Sequence, residues 1–234
     1  MKTALKLQNT AVYDEALSTD DFNRVSEWMN YIPYMFKNST GLWNRVWHTS
    51  DGEILNSQSI HIHEDFSIAQ YQSEYEPVLP FIKALQTQLQ DCGLFDVTEI
   101  KSIALTPYVW PATTSLSWHS DSDYVGAFTF YVHKHWNPNW GGEFLTVEGD
   151  EYIPQEKKDG VKWKVFDNKE VDEMILDKGV GHFIMPKPNR IVFNKGGKQG
   201  ILHKVAKSTP QATDRLTLQG FLRKRPVTEE DLHA

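Results

Sequence analysis

At 234 residues, with 12% aromatic side chains and eight tryptophans, the chain is long and apolar enough to bury a substantial core. A single cysteine, Cys92, excludes a disulfide framework and a cysteine zinc cluster, and a formal charge of −7 argues against nucleic acid or another polyanion as partner. Residues 1–10 have no apolar run of signal-peptide length and no stretch approaches membrane-spanning length, so a cytoplasmic protein with no membrane contact is expected.

In chain order, Thr19 or Asp20 is placed to cap a helix running through Phe22, Val25, Trp28 and Met29 towards Tyr31, ended by Pro33. A second helix is expected after Pro77, with Leu79, Phe81, Ile82, Leu85 and Leu89 on one face and Gly93 at its end. From Ile100 the pattern changes to short β-branched and aromatic runs separated by Gly, Pro, Asn and Asp. Strands are predicted at 103–109, 116–119, 127–133, 143–147, 182–185, 191–194, 201–205 and 216–222, and eight of them suggest a sandwich or barrel. Residues 1–234 therefore read as one domain, with a helical part at about 1–99 and a β core at about 100–225. Residues 150–181 exceed what a hairpin needs. They read either as a solvated excursion with its own small hairpin or as a substrate-selecting lid carrying Trp163 and Phe166. The run Arg223–Lys224–Arg225 is expected to flank the last strand.

The chemistry-bearing residues are His119 and Asp121, in Leu116–Ser117–Trp118–His119–Ser120–Asp121, and His203, 82 positions beyond Asp121. Two imidazoles and one carboxylate are the donor set of the facial triad that holds Fe(II) on one side and leaves the other open. On an extended strand, side chains two apart point the same way, so His119 and Asp121 can reach one metal. Arg215 follows His203 by twelve residues. Two strands joined by a turn would return it to the neighbourhood of His203, where a buried guanidinium can clamp a carboxylate through two parallel hydrogen bonds.

These segments resemble the Fe(II)/2-oxoglutarate-dependent dioxygenases, in the prolyl 4-hydroxylase-like branch, over roughly half the chain from Ile103 to Leu222. Further matching segments are Phe128–Thr129–Phe130–Tyr131–Val132, the Trp136 to Gly141–Gly142–Glu143 turn, and Asn189–Arg190–Ile191–Val192–Phe193 before the distal histidine. The resemblance implies a mainly β fold with N-terminal helices packed outside one sheet, namely a double-stranded β-helix, a cupin-like jelly roll. It makes His119, Asp121 and His203 the iron ligands and catalytic centre, puts Arg215 and Tyr131 on the C5 carboxylate of 2-oxoglutarate, and makes Tyr108 a pocket residue. The implied cofactors are Fe(II), 2-oxoglutarate as cosubstrate and O2, with ascorbate as a candidate reductant. The implied reaction is hydroxylation of an unactivated C–H bond of a small molecule, amino acid or peptidyl residue, with release of succinate and CO2. A carboxylate at Asp121 favours hydroxylation over halogenation, with desaturation and cyclisation still open.

Other residues carry competing readings. His61–Ile62–His63–Glu64–Asp65 overlaps the H-x-H-x-D motif of metallohydrolases, but Phe66 stands where that motif needs histidine, so a half-buried or surface strand is expected there. His133 and His135 are expected to be structural or substrate-facing, and Asn189 and Arg190 structural. Tyr108, Trp110 and Trp118 suit either an aromatic core or a pocket wall. A non-catalytic sensing domain on the same fold is the alternative to an enzyme.

Overall fold

The computed structural model describes residues 1–36, 49–121, 123–147, 155–158, 161–164, 173, 175–177, 179–197 and 200–232. Its N-terminal third contains strands β1 (Lys2–Lys6) and β2 (Thr10–Asp14), helix α1 (Thr19–Trp28), short strands β3 (Met35–Phe36) and β4 (Leu55–Asn56), β5 (Ile60–His63), and helix α2 (Leu79–Cys92). The central part holds β6 (Ser102–Trp110), β7 (Leu116–His119), β8 (Gly126–Tyr131), β9 (Phe144–Val147), β10 (Gln155–Lys158) and β11 (Val161–Lys164). Strands β12 (Gly181–Ile184), β13 (Arg190–Lys195), β14 (His203–Val205) and β15 (Arg215–Arg223) follow, before a last helical turn, α3 (Glu229–Leu232).

Nine strands form one antiparallel sheet in the order β1-β2-β13-β8-β15-β6-β4-β3, with β5 also paired to β6, and four form a second in the order β12-β9-β14-β7. Period-2 alternation assigns the faces of the large sheet. Phe128, Phe130, Ile191, Phe193, Leu218 and Leu222 pack on one side with Phe22, Val25, Phe81, Leu85 and Leu89 of the two helices. Phe81 stacks on Phe130 at 4.7 Å between ring centroids, and each such buried ring contributes about 2–3 kcal/mol. The other side turns Val12, Tyr108, Trp110, Tyr131 and Val192 towards Leu116, Phe144, Ile184 and Val205, which include residues of the four-stranded sheet. The candidate chemistry lies in this second, intersheet layer.

The helices fall where expected, with small corrections. The α1 cap is Ser18, whose Oγ accepts from the Asp21 N–H at 3.2 Å, rather than Thr19 or Asp20, and the helix ends at Trp28, short of Tyr31. Gly93 closes α2 in the left-handed region at φ 66°. A larger correction concerns residues 1–99, expected to be helical: five strands lie there, and β2 is wholly buried between β1 and β13. A five-residue strand covered on both faces has no polar alternation to announce it. The expected β14–β15 hairpin is also corrected, because β14 belongs to the four-stranded sheet and β15 to the large one. The segment between them crosses from one layer to the other.

The Arg223–Lys224–Arg225 run flanks β15 as expected, with Arg223 and Arg225 clamping Asp231 at 2.9 and 2.6 Å. A hairpin of β10 and β11 is present within 150–181, whereas Phe166 and most of the lid reading lie outside the described residues. Among the described residues, no helix is long and apolar enough to cross a membrane.

Candidate metal centre

β7 and β14 are neighbours in the four-stranded sheet, and their register sets His119 opposite His203 with ring centroids 4.1 Å apart. The Nδ1 of His119 lies 2.8 Å from the Ser117 carbonyl, and that of His203 lies 3.1 Å from the Ile201 carbonyl. A carbonyl only accepts, so each Nδ1 carries a proton and Nε2 is the nitrogen left to face a metal. Asp121 follows the end of β7, and its Oδ2 is 3.4 Å from His203 Nε2. One ligand atom from each residue falls within 4.8 Å of the others, and all three side chains are buried. Among the described residues, this is the one cluster of histidine, cysteine and acidic groups suited to a metal ion.

Two supporting residues were not picked out from the sequence. The buried Asp51 carboxylate accepts from Ser115 Oγ at 2.7 Å, from the Ser117 N–H at 3.2 Å and from Ser117 Oγ at 3.1 Å. It thus tethers the strand whose Ser117 carbonyl orients His119. Asn194, on β13, donates its Nδ2 to Asp121 Oδ2 at 2.9 Å.

Arg215 opens β15, opposite Trp110 of β6, and one step along the same face Thr217 is paired with both Tyr108 and Tyr131. The guanidinium lies over the Trp110 ring at 4.6 Å and donates from Nη1 to the Gly142 carbonyl at 2.7 Å, while Trp110 Nε1 donates to Thr217 Oγ1 at 3.0 Å. Arg215 is only 4% exposed, and its Nε has no hydrogen-bond partner. Burial pushes it down to about 10, with Tyr131 and Glu143 acting in the opposite direction. Burial raises the Tyr131 phenol, and the neighbouring Arg215 opposes that shift.

The Gly141–Gly142 turn has a direct role here. Gly142 sits at φ +78°, and a Cβ on it would lie 3.0 Å from the Trp136 ring and 3.2 Å from Arg215 Nη1. His133 packs beside this corner, its ring 5.8 Å from Tyr131 and 5.0 Å from Trp136, with Nε2 donating to the Pro186 carbonyl at 2.8 Å. Desolvation first, and then Arg215 among other groups, holds it neutral by pushing it to about 4.

The competing histidines do not join the centre. His61 and His63 are half-buried on β5, and the Asp65 carboxylate is occupied by the Ser67 N–H at 2.9 Å. His135 is exposed against the Trp140 ring. Arg190 is structural, as expected, and grips Asp14 through Nε at 2.6 Å and Nη2 at 3.1 Å. Tyr108 and Trp110 are in the intersheet layer, while Trp118 lies under the Lys204 ammonium at 5.6 Å.

Solved structures match this architecture along almost the whole chain. A prolyl-4-hydroxylase from Pseudomonas putida is similar with a TM-score of 0.55 at 13% identity, over 93% of each chain. The fold is a double-stranded β-helix. A prolyl hydroxylase from Trichoplax adhaerens, in complex with a peptide fragment of the hypoxia inducible factor oxygen degradation domain, is similar with a TM-score of 0.58 at 12% identity, over 96% of this chain and 86% of that one. A 2OG-Fe(II) oxygenase family oxidoreductase from Burkholderia pseudomallei gives 0.51 at 11% identity, over 93% and 86%. No sequence-family model matches the chain, and no curated protein matches it by sequence.

Proposed function

We propose that this chain is an Fe(II)- and 2-oxoglutarate-dependent dioxygenase that hydroxylates an unactivated C–H bond of a small molecule, amino acid or peptidyl residue. Substrate, O2 and 2-oxoglutarate would give the alcohol, succinate and CO2. One observation carries the reading: the buried His119–Asp121–His203 cluster borders an intersheet layer that also holds the buried Arg215 guanidinium, whose Nε has no hydrogen-bond partner. The donor set fits ferrous iron, because two imidazoles and one carboxylate on a single face leave the opposite positions for other ligands. The unpaired Arg215 Nε fits the far carboxylate of a dicarboxylic cosubstrate.

His119, Asp121 and His203 would hold the iron, with Ser117 and Ile201 fixing the two imidazole tautomers. When bound, iron would supply the activation of dioxygen and 2-oxoglutarate two of the four electrons that reduce it, the other two coming from the substrate C–H bond, and ascorbate would serve to keep the metal ferrous. Arg215 and Tyr131 bind the distal carboxylate, and Tyr108 and Trp110 shape the wall beside it. Phe144, Val192 and Val205 line the layer with apolar surface and exclude water, which strengthens the charge-assisted bonds made there. A peptidyl substrate is retained among the candidates because one similar structure holds a peptide.

The test is a screen of amino acids and peptides with Fe(II), 2-oxoglutarate and ascorbate, reading succinate and hydroxylated product by mass spectrometry. Substrate-stimulated succinate that disappears in His119→Ala is expected. Metal and 2-oxoglutarate binding without turnover of any substrate would overturn the enzymatic reading in favour of a sensing domain.

A further inference from the structure

Strand β13 turns Ile191 and Phe193 into the helix-covered core, and Val192 and Asn194 into the space between the sheets. Asn194 is 2% exposed, and its backbone is paired on both sides, with Thr10 of β2 and Ala127 of β8. The amide thus projects from one of the most constrained positions in the large sheet. It reaches Asp121, 73 residues earlier in the chain, at 2.9 Å. A carboxylate offers lone pairs only, so the amide nitrogen and not its oxygen must face it. The oxygen that accepts this bond, Oδ2, is also the one 3.4 Å from His203 Nε2.

The end of the same strand holds the Asp121 backbone. The Asp121 carbonyl accepts from the Gly197 N–H at 3.4 Å and from the Tyr124 N–H at 3.1 Å. Gly196 passes so close that a Cβ there would lie 2.6 Å from that carbonyl oxygen. Residues 194–197 therefore grip Asp121 twice, once by its main chain and once by its carboxylate. Asp121 needs such support because it lies beyond β7, outside the ladder that orients His119 and His203.

Resting on the metal reading above, we propose that Asn194 is a positioning residue for Asp121, holding Oδ2 beside His203 Nε2 before any metal arrives. Two effects follow. The aspartate torsions are ordered during folding, so metal binding does not bear that entropic cost. The donated hydrogen bond also occupies one lone pair of the ligating oxygen and limits the carboxylate to one orientation towards the ion. A filler of the same branched shape without a donor would leave the fold and the imidazoles in place but free the carboxylate to turn.

The test compares wild type, Asn194→Leu and Asn194→Ala by anaerobic Co(II) titration, with visible absorption reporting coordination geometry and circular dichroism reporting the metal-free melt. Leucine keeps the branched shape, with methyl groups somewhat bulkier than the amide oxygen and nitrogen, and removes the donor. Alanine leaves room for a water to donate instead. With the metal-free melts close to wild type, Asn194→Leu is expected to bind Co(II) about 10–100-fold more weakly with an altered spectrum, and Asn194→Ala to lose less. A folded variant with wild-type affinity and spectrum would overturn the proposal, as would failure of both variants to fold, which would assign Asn194 to the fold instead. Absence of Co(II) binding in the wild type would overturn the metal reading itself and is thereby told apart from failure of the Asn194 role.

Discussion

Replacing Arg215 with methionine separates a ligand clamp from a structural arginine. In wild type, burial holds the guanidinium down to about 10, against 12.5 in water. At about 1.4 kcal/mol per pH unit, its cation is disfavoured by roughly 3 kcal/mol in the ligand-free protein. Methionine relieves that cost. It also leaves the Gly142 carbonyl unpaired, worth about 1–3 kcal/mol, and removes the cation over Trp110, worth about 1–2 kcal/mol. The terms nearly cancel, so the ligand-free melting temperature should move by only a few degrees. The effect on 2-oxoglutarate is different: losing a buried charge-assisted partner costs about 2–5 kcal/mol, or roughly 30- to 5,000-fold in affinity. The assay is thermal melting with Mn(II), with and without 2-oxoglutarate. At 100 times its dissociation constant the ligand stabilises wild type by about 2.7 kcal/mol, a shift of roughly 5–10 °C in a chain of this size. Arg215→Met at the same ligand concentration should melt close to ligand-free wild type, with a residual shift of at most roughly 2–3 °C. A variant destabilised by about 3–5 kcal/mol that still responds to 2-oxoglutarate would refute the clamp, since that is the cost of breaking a buried internal ion pair.

Gly142→Ala should reproduce the cosubstrate defect with Arg215 itself unaltered in sequence, because the added Cβ at φ +78° meets Trp136 at 3.0 Å and pushes on Arg215 Nη1 at 3.2 Å; isothermal titration with 2-oxoglutarate checks it, and unchanged affinity would show the turn to be slack. His133 gives a pH signature. Its folded-state value, about 4, lies below the usual 6.5, so the unfolded chain takes the proton first and stability falls as pH drops. The contribution is intact above pH 6.5 and lost progressively towards pH 4, to a total of roughly 3 kcal/mol. Urea unfolding at pH 7 and pH 4.5 should show a shallower fall for His133→Gln than for wild type, and equal falls would mean His133 is solvated.

Much of this was legible in the chain because two periodicities and one ligand pattern are local. The strands from Ser102 onward alternate cleanly or carry dense β-branched runs, and His119, Asp121 and His203 stand in strands or directly beyond them. Arg215 was singled out by its distance from His203, and Tyr131 only through the family resemblance, and their role towards a cosubstrate belongs to the proposal. What stayed hidden depends on contacts between distant segments. Thr10–Asp14 pairs with Arg190–Lys195, and neither face of that strand is left polar to mark it. Asn194 ended a predicted strand, and alternation with Val192 would have turned it inwards, but nothing in the sequence says that Asp121 is what it meets. Asp51 supports β7 from 66 residues away, and Gly142 was read as a turn although its carbonyl also holds Arg215. The β14–β15 connection was misread because a short polar segment looks the same whether it closes a hairpin or crosses between sheets.

Metal stoichiometry tests the central claim most directly. Anaerobic loading with Fe(II), followed by desalting and elemental analysis, is expected to leave about one ion per chain in wild type, His61→Ala and His63→Ala, and close to none in His119→Ala and Asp121→Ala, since two remaining donors hold a labile divalent ion poorly. Retention of iron in the last two variants, with loss in His61→Ala or His63→Ala, would contradict a centre built on His119, Asp121 and His203.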